Sequence, residues 1–338
     1  MKHPLLHRPL TIGTLTIVNR LILPPMATNK SKSDGTVTDE LCTYYDTVSR
    51  GGHFGLIIQE HSYVSPEGKA SPNQVSISCD HDIEGLSRIT AAVHANGSPI
   101  FAQISHAGSA AKPSVTGMAP LGPSAVLHKG ALPAQQEGKV MPKVMTKDDI
   151  TRVIRCFADA AERARLAGYD GVEIHSAHGY MLSQFYSPIT NKRTDAYTGS
   201  TIEGRTLFQR QIIKAVRERL GSSFPIGIRL GASDYAEGGA SIDDLPAATH
   251  LFEEAGADMI SISGGMCGFN RPGHTEPGYF AELAEAAKKA VTIPVMVAGG
   301  IQNGDQAEQV LADGKADCVG IGRAVLKNNG LAARIMAA

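Results

Sequence analysis

Short runs of β-branched and other apolar residues alternate along this chain with longer stretches in which apolar positions recur every three or four residues. These are the signatures of buried strands and of amphipathic helices. The apolar runs fall at residues 19–23, 55–60, 99–105, 171–174, 225–230, 259–263, 294–298 and 318–321. Helical periodicity follows them at 38–50, 81–96, 146–167, 203–220, 242–255, 280–290, 305–312 and 324–336, with Thr38 placed to cap the first helix and Gly168 to end the third. Strand-helix repeats at a mean spacing of about forty residues predict an α/β fold, a (β/α)8 or TIM barrel, formed by one domain over residues 1–338. A doubly wound open sheet competes with this, but it calls for a Gly-x-Gly-x-x-Gly turn after an early strand, and the sequence has none.

Two further stretches complete the outline. Residues 9–18 alternate polar and apolar positions around Gly13, which predicts an N-terminal hairpin over the amino end of the barrel. Between residues 106 and 145 the periodicity disappears, and five prolines and five glycines make a long loop after strand three the natural reading. Composition does not distinguish a lid over an active site from a surface excursion.

Of 338 residues 42% are hydrophobic, so the chain buries a large core without needing disulfides or metal. The formal net charge of −1, without long like-charge runs, excludes the usual nucleic-acid and anionic-membrane partners. Cys42, Cys79, Cys156, Cys267 and Cys318 form no Cys-x-x-Cys pair and read as mostly buried free thiols in a reducing compartment. The first ten residues carry prolines and histidines where a signal peptide needs an apolar core, so a cytoplasmic location is expected.

The chemistry is expected where apolar runs end in polar side chains, at the carboxyl ends of the strands. The fourth run passes into His175, His178 and Tyr180. The imidazoles can donate N–H bonds to a substrate carbonyl, and a phenol with an ordinary pKa of ~10 keeps its proton for delivery. A metal reading needs a third donor and lacks the His-x-x-x-His spacing of a zincin. Gln103 and Arg229 interrupt other apolar runs. They would suit the amide edge and developing negative charge of a flat heterocycle, although Arg229 could instead pair internally with Glu173. Gly299-Gly300 and Gly322-Arg323 end the last two runs, where backbone N–H groups and a guanidinium can hold a phosphate, or where glycines merely permit tight turns.

The segment His175-Ser-Ala-His178-Gly-Tyr180-Met-Leu-Ser-Gln184-Phe-Tyr-Ser187-Pro188-Ile-Thr-Asn191-Lys-Arg193-Thr-Asp195-Ala-Tyr197 resembles the signature of the old yellow enzyme family. The resemblance extends to Asn19-Arg20, Pro24-Pro25-Met26, Gly51-Gly52, Gln103 with His106-Ala-Gly108, residues 167–173 and the two glycine segments, nearly the whole chain. It implies a barrel holding FMN, reduced by NADH or NADPH and reoxidised by the C=C bond of an α,β-unsaturated carbonyl compound, an enone or enal. His175 and His178 then correspond to the pair binding the substrate's carbonyl oxygen, and Tyr180 to the proton donor. Gln103 and Arg229 correspond to flavin-ring contacts, with Arg229 favouring the reduced ring. Pro25, Met26 and Ala27 lie against the flavin, and Gly299, Gly300, Gly322 and Arg323 match the phosphate site.

Some positions depart from the family pattern. Ala27 stands where many relatives have Cys or Thr, Ser105 and Ser109 replace a bulky residue and an arginine, and Gly204 replaces an asparagine. No cysteine-rich extension follows, so an iron–sulfur cluster is not expected. The competing function is a non-redox barrel lyase or isomerase acting on a phosphorylated substrate, although a Schiff-base lysine at a strand end is missing. A flavin-binding protein without turnover is a third reading, disfavoured by the complete His-His-Tyr set. A homo-oligomer is compatible with the sequence but not indicated by it.

Overall fold

The computed structural model describes residues 2–127, 138 and 140–338. Its first elements are the expected hairpin, β1 (Leu10–Ile12) paired antiparallel with β2 (Leu15–Ile17). The barrel begins with β3 (Leu21–Leu23), α1 (Asp39–Ser49), β4 (Leu56–Tyr63), α2 (Asp82–Ala95) and β5 (Ile100–Ser105). The long connection that follows contains α3 (Pro113–Thr116) and a two-strand parallel pair, β6 (Leu121–Gly122) with β7 (Lys143–Val144). It is therefore partly ordered rather than the structureless loop expected, while the middle of that stretch, residues 128–137, lies outside the described residues.

The barrel resumes with α4 (Lys147–Leu166), β8 (Gly171–Ser176), α5 (Met181–Tyr186), α6 (Ile202–Leu220), β9 (Ile226–Ser233), α7 (Leu245–Glu254) and β10 (Met259–Gly264). It ends with α8 (Ala281–Lys288), β11 (Val295–Ala298), α9 (Gly304–Ala312), β12 (Cys318–Gly320), α10 (Arg323–Lys327) and α11 (Leu331–Ala337). Strands β3, β4, β5, β8, β9, β10, β11 and β12 close in that order, all parallel, as a (β/α)8 barrel. The last helix expected from periodicity is two helices, broken at Asn328-Asn-Gly330, where Asn328 is extended. Residues 242–244 form a tight 3-10 turn ahead of α7.

The N-cap expected at Thr38 is present, and the structure adds one at Thr146. Thr38 accepts a bond from the Leu41 N–H, and Thr146 forms a reciprocal capping box with Asp149 at the head of α4. Apolar faces of these helices pack on the outside of the barrel, burying Phe157, Phe208, Phe252 and Phe280 completely.

Inside the barrel the two-residue period of the strands builds layers of different character. Ile22, Leu56, Ile58, Phe101, Met259, Met296 and Cys318 fill the lower interior, and Ile12 and Ile17 of the hairpin seal it from below. One step up the same strands, the buried residues are Gln103, Glu173, Arg229 and Ser261, followed by His175 and Ser263. A dry plug thus supports a polar floor at the carboxyl ends of the strands. It also explains why β4, β8 and β9 run past the ends expected for them, since their last residues are polar but still paired, His175 opposite Arg229 among them. Among the described residues, no helix is long and apolar enough to cross a membrane.

All five cysteines are free, as expected, but only Cys318 is fully buried, and Cys79 is exposed. Gly204 has a packing reason. A Cβ placed there would lie 2.5 Å from the Thr198 carbonyl oxygen, so the first turn of α6 and the preceding loop meet at backbone distance. Helix propensity alone predicts that Gly204→Ala stabilises by about 1 kcal/mol. The clash predicts the opposite, a loss of about 1–3 kcal/mol in urea unfolding.

Candidate active site

The site begins at Arg229 on β9. Its side chain is buried, its Nε and Nη1 make no hydrogen bond among the described residues, and Nη2 reaches only Ser263 Oγ at 3.5 Å. Burial pulls the guanidinium below its ordinary range, and Glu173 is the one carboxylate that opposes this. Burial likewise raises the Glu173 carboxyl, against Arg229, Ser261 and Gln103. No ion pair joins the two among the described residues, so the internal pairing weighed from sequence does not form. Glu173 instead accepts from Gln103 Nε2 at 2.7 Å and from the Ser261 hydroxyl. Gln103 therefore has one of its two amide N–H donors committed to Glu173 and offers a ligand its carbonyl oxygen.

Above this floor stand the three side chains of the expected motif. His175, on β8, lies 5.0 Å from His178 and 5.3 Å from Tyr180 between ring centroids. His175 is buried with no partner for Nδ1 among the described residues, whereas His178 binds Ser263 Oγ through Nε2 at 2.8 Å. His178 also holds φ at 60°, a left-handed conformation that costs a non-glycine residue about 1–3 kcal/mol and is commonest at functional sites. Burial lowers both imidazoles well below their ordinary pKa, with the Arg229 charge acting in the same direction, so both are neutral at pH 7. Burial pushes the Tyr180 phenol up to about 12.

The rest of the motif positions these groups. Gln184 on α5 donates to the Ala107 and Gly179 carbonyls and accepts from the Ser109 N–H, tying the histidine turn to the segment after β5. Asn191 donates to the Phe185 and Tyr197 carbonyls, and Arg193 to those of Pro123 and Met145, which ties together the two described stretches of the long connection. Ser187 donates to Asp234, and Asp234 holds the Ala240 and Met266 N–H groups.

At the other end of the mouth, Gly299 and Gly300 follow β11, and Gly322 precedes α10 with Arg323 at its start. Gly300 has φ of 70°, which favours glycine. Tyr279 stands over the pair, since a Cβ on Gly299 or Gly300 would lie 2.8 or 2.9 Å from its ring. Arg323 is exposed and donates to the Tyr279 hydroxyl at 2.7 Å and to Asn270 Oδ1 at 2.9 Å. Both partners are neutral, so the guanidinium retains a full charge for an anion. Pro25 and Met26 are half-buried at the end of β3 and Ala27 is exposed. Thr28 fixes this arch by donating from its N–H and hydroxyl to Glu60.

Sequence reasoning missed His61, Asn270 and Tyr279. His61 lies 5.5 Å from Tyr180 and 6.1 Å from His175 between ring centroids, and its signal was the polar Gln59-Glu60-His61 directly after Ile57-Ile58. Nothing local marks Asn270 and Tyr279, which reach the site from the loop after β10. Among the described residues, no three His, Cys, Asp or Glu side chains converge to hold a metal ion.

A parallel barrel with these groups at its mouth belongs with the flavin-dependent oxidoreductases, and the comparisons specify the group. The family model described as NADH:flavin oxidoreductase / NADH oxidase matches residues 5–338, and the chain belongs to that family. The cofactor that goes with membership is FMN. The chain is 40% identical over 321 residues to a NADH oxidase of Thermoanaerobacter brockii, covering 93% of this chain and 48% of that one. It is 35% identical to a NADPH dehydrogenase of Clostridium acetobutylicum, covering 94% of this chain and 90% of the relative. A solved old yellow enzyme homologue from Zymomonas mobilis superposes with a TM-score of 0.85 at 26% identity, over 98% of this chain and 92% of that one. The chain thus spans about half the length of some curated relatives, the T. brockii NADH oxidase among them, and nearly all of others. The family resemblance drawn from the motif is borne out, and the non-redox lyase reading falls away.

Glu60 yields a test of the arch. Burial raises its carboxyl from the ordinary 4.5 to about 7, against the bonds from Thr28. As pH rises from 4.5 to 7 the unfolded chain loses a proton that the folded protein keeps, so wild-type stability falls across that window. Glu60→Gln removes this component. Its Tm relative to wild type should climb between those limits and level off above them, and a constant difference would contradict the assignment.

Proposed function

We propose that the chain is an FMN-dependent NAD(P)H oxidoreductase that reduces the C=C bond of enones and enals, and that residues 1–338 act as one FMN-binding unit. The observation that carries this reading is Arg229, a buried cation with two donor nitrogens unpartnered among the described residues, paired across from His175 in a cluster of two neutral imidazoles and a phenol. A buried charge of this kind is costly unless a ligand completes its bonds. A flavin ring offers carbonyl oxygens and ring nitrogens on one flat edge, which suits Arg229 and the free carbonyl oxygen of Gln103. Pro25, Met26 and Ala27 would lie against the ring. Gly299, Gly300, Gly322 and Arg323 would take the phosphate, with the Tyr279 hydroxyl and Asn270 exchanging their bonds to Arg323 for it.

When bound, FMN supplies the redox chemistry, accepting a hydride from NADH or NADPH and delivering one to the alkene. The chain's own groups do the rest. His175 and His178 hold the substrate carbonyl oxygen through N–H bonds, and because both are neutral they stabilise negative charge as it develops there without binding an anion beforehand. Tyr180 is protonated at neutral pH and gives its proton to Cα while the hydride adds at Cβ, and solvent returns the proton to the phenol. Arg229 would hold the flavin through its free N–H donors and supply fixed positive charge that favours the reduced state.

The test is made anaerobically with FMN-loaded protein. The flavin absorbance should be bleached by NADH or NADPH and restored by cyclohexenone. Tyr180→Phe should slow the second half by about 10²–10⁴-fold and leave the first within a few-fold. Equal loss in both halves would remove Tyr180 as the proton donor, and wild-type absorbance that cyclohexenone does not restore would overturn the reading.

A further inference from the structure

His61 stands in the mouth of the barrel beside the proposed proton donor, and three features of its surroundings prepare it for a task. The first is a bulge. Gln59 of β4 pairs with Ala102 of β5 and Ser62 with Ile104, so Glu60 and His61 together face the single residue Gln103. Such bulges re-aim a side chain beside active sites. Here the extra residue turns the His61 ring to the same space as His175 and Tyr180.

The second feature is a fixed tautomer. The Ala70 N–H, which can only donate, is 2.6 Å from Gln74 Oε1, so the Gln74 oxygen faces Ala70 and its nitrogen faces His61. That nitrogen donates to the His61 carbonyl at 3.1 Å and to Nδ1 of the ring at 2.8 Å. Nδ1 must therefore be the acceptor, and the proton of the neutral ring sits on Nε2. Burial and the Arg229 charge lower the imidazole to about 4, so the ring stays neutral in use.

The third is the arrangement of rings. His61, His175 and Tyr180 form a nearly equilateral triangle with sides of 5.3, 5.5 and 6.1 Å. No hydrogen bond engages His61 Nε2 among the described residues.

We infer that His61 is a specificity-determining residue whose Nε2–H accepts into the pocket alkenes bearing a second hydrogen-bond acceptor, the ene-diones, in which a carbonyl flanks each end of the C=C bond. This rests on the proposed ene-reduction. The carbonyl held by His175 and His178 activates the alkene, and His61, 6.1 Å from His175 between ring centroids, donates to the other oxygen. Gln74 is a positioning residue that holds the tautomer and acts through His61.

The experiment compares kcat/KM for a cyclohexenedione with that for cyclohexenone, using FMN-loaded protein. His61→Phe keeps a ring of similar size and removes the donor. The dione-to-enone ratio should fall about fivefold to tenfold, the worth of one good hydrogen bond. His61→Gln, which carries an amide near the Nε2 position, should recover part of the ratio. An unchanged ratio, or an equal loss for both substrates, overturns the inference. A readout independent of turnover is nitrogen NMR of the histidines, which should find the Nε2–H tautomer at His61 in wild type and a mixture in Gln74→Leu. An Nδ1–H tautomer in wild type also overturns the inference. If wild type reduces neither alkene, the proposed function fails instead. The saturated cyclohexanedione then decides the role of His61 by whether it shifts that residue's NMR signals, and no shift counts against it.

Discussion

Burying one guanidinium in the barrel sets the terms for everything around it. Arg229 sits on β9 with two donor nitrogens unanswered among the described residues, faced by a carboxylate with which it forms no ion pair. Glu173 in turn is held by Gln103 and Ser261 rather than by the arginine. Had Glu173 closed directly on Arg229, the pair would have satisfied itself and left nothing for a ligand. Keeping them apart preserves the charge balance of the floor while leaving one edge of the cation open.

That floor in turn depends on the dry layers beneath it. The lower interior, sealed by Ile12 and Ile17 of the hairpin, keeps water from reaching the charged groups from below, so their fields act upward into the mouth. The same field explains the state of the rings above. His61, His175 and His178 all have imidazolium forms disfavoured by burial and by the nearby Arg229 charge. A cluster of three histidines that would normally titrate near neutrality becomes a set of uncharged donors. The left-handed turn at His178 is stabilised by Gln184, whose bonds to Ala107 and Gly179 join two loops.

The parts of this arrangement legible in the sequence were those written in local pattern. Alternating strand and helix periods foretold the barrel, and Thr38 marked the cap of its first helix. His175, His178 and Tyr180 stood out because polar residues break an apolar run. Strand ends were read short, since His175 and Ser176 look like loop residues until their pairing with β9 is seen. The contacts of Gln103 with Glu173 and of Arg229 with Ser263 were not legible, because these strands come together only when the barrel closes. His61 was hidden for a similar reason. A bulge is a property of register between β4 and β5, and the bond that fixes its tautomer comes from Gln74, outside both strands. Tyr279 and Asn270 reach Arg323 from a distant loop.

The central claim is that the open edge of Arg229 exists for a flavin ring, and FMN affinity measures it most directly. Titration of FMN fluorescence should show binding to the wild-type protein. Arg229→Met, made together with Glu173→Gln so that no unpaired carboxylate is left in the barrel, should weaken that binding by at least about tenfold, as expected for loss of charge-assisted hydrogen bonds. Glu173→Gln alone should weaken it far less. A wild-type protein that does not bind FMN, or a double variant that binds it equally well, would contradict the account.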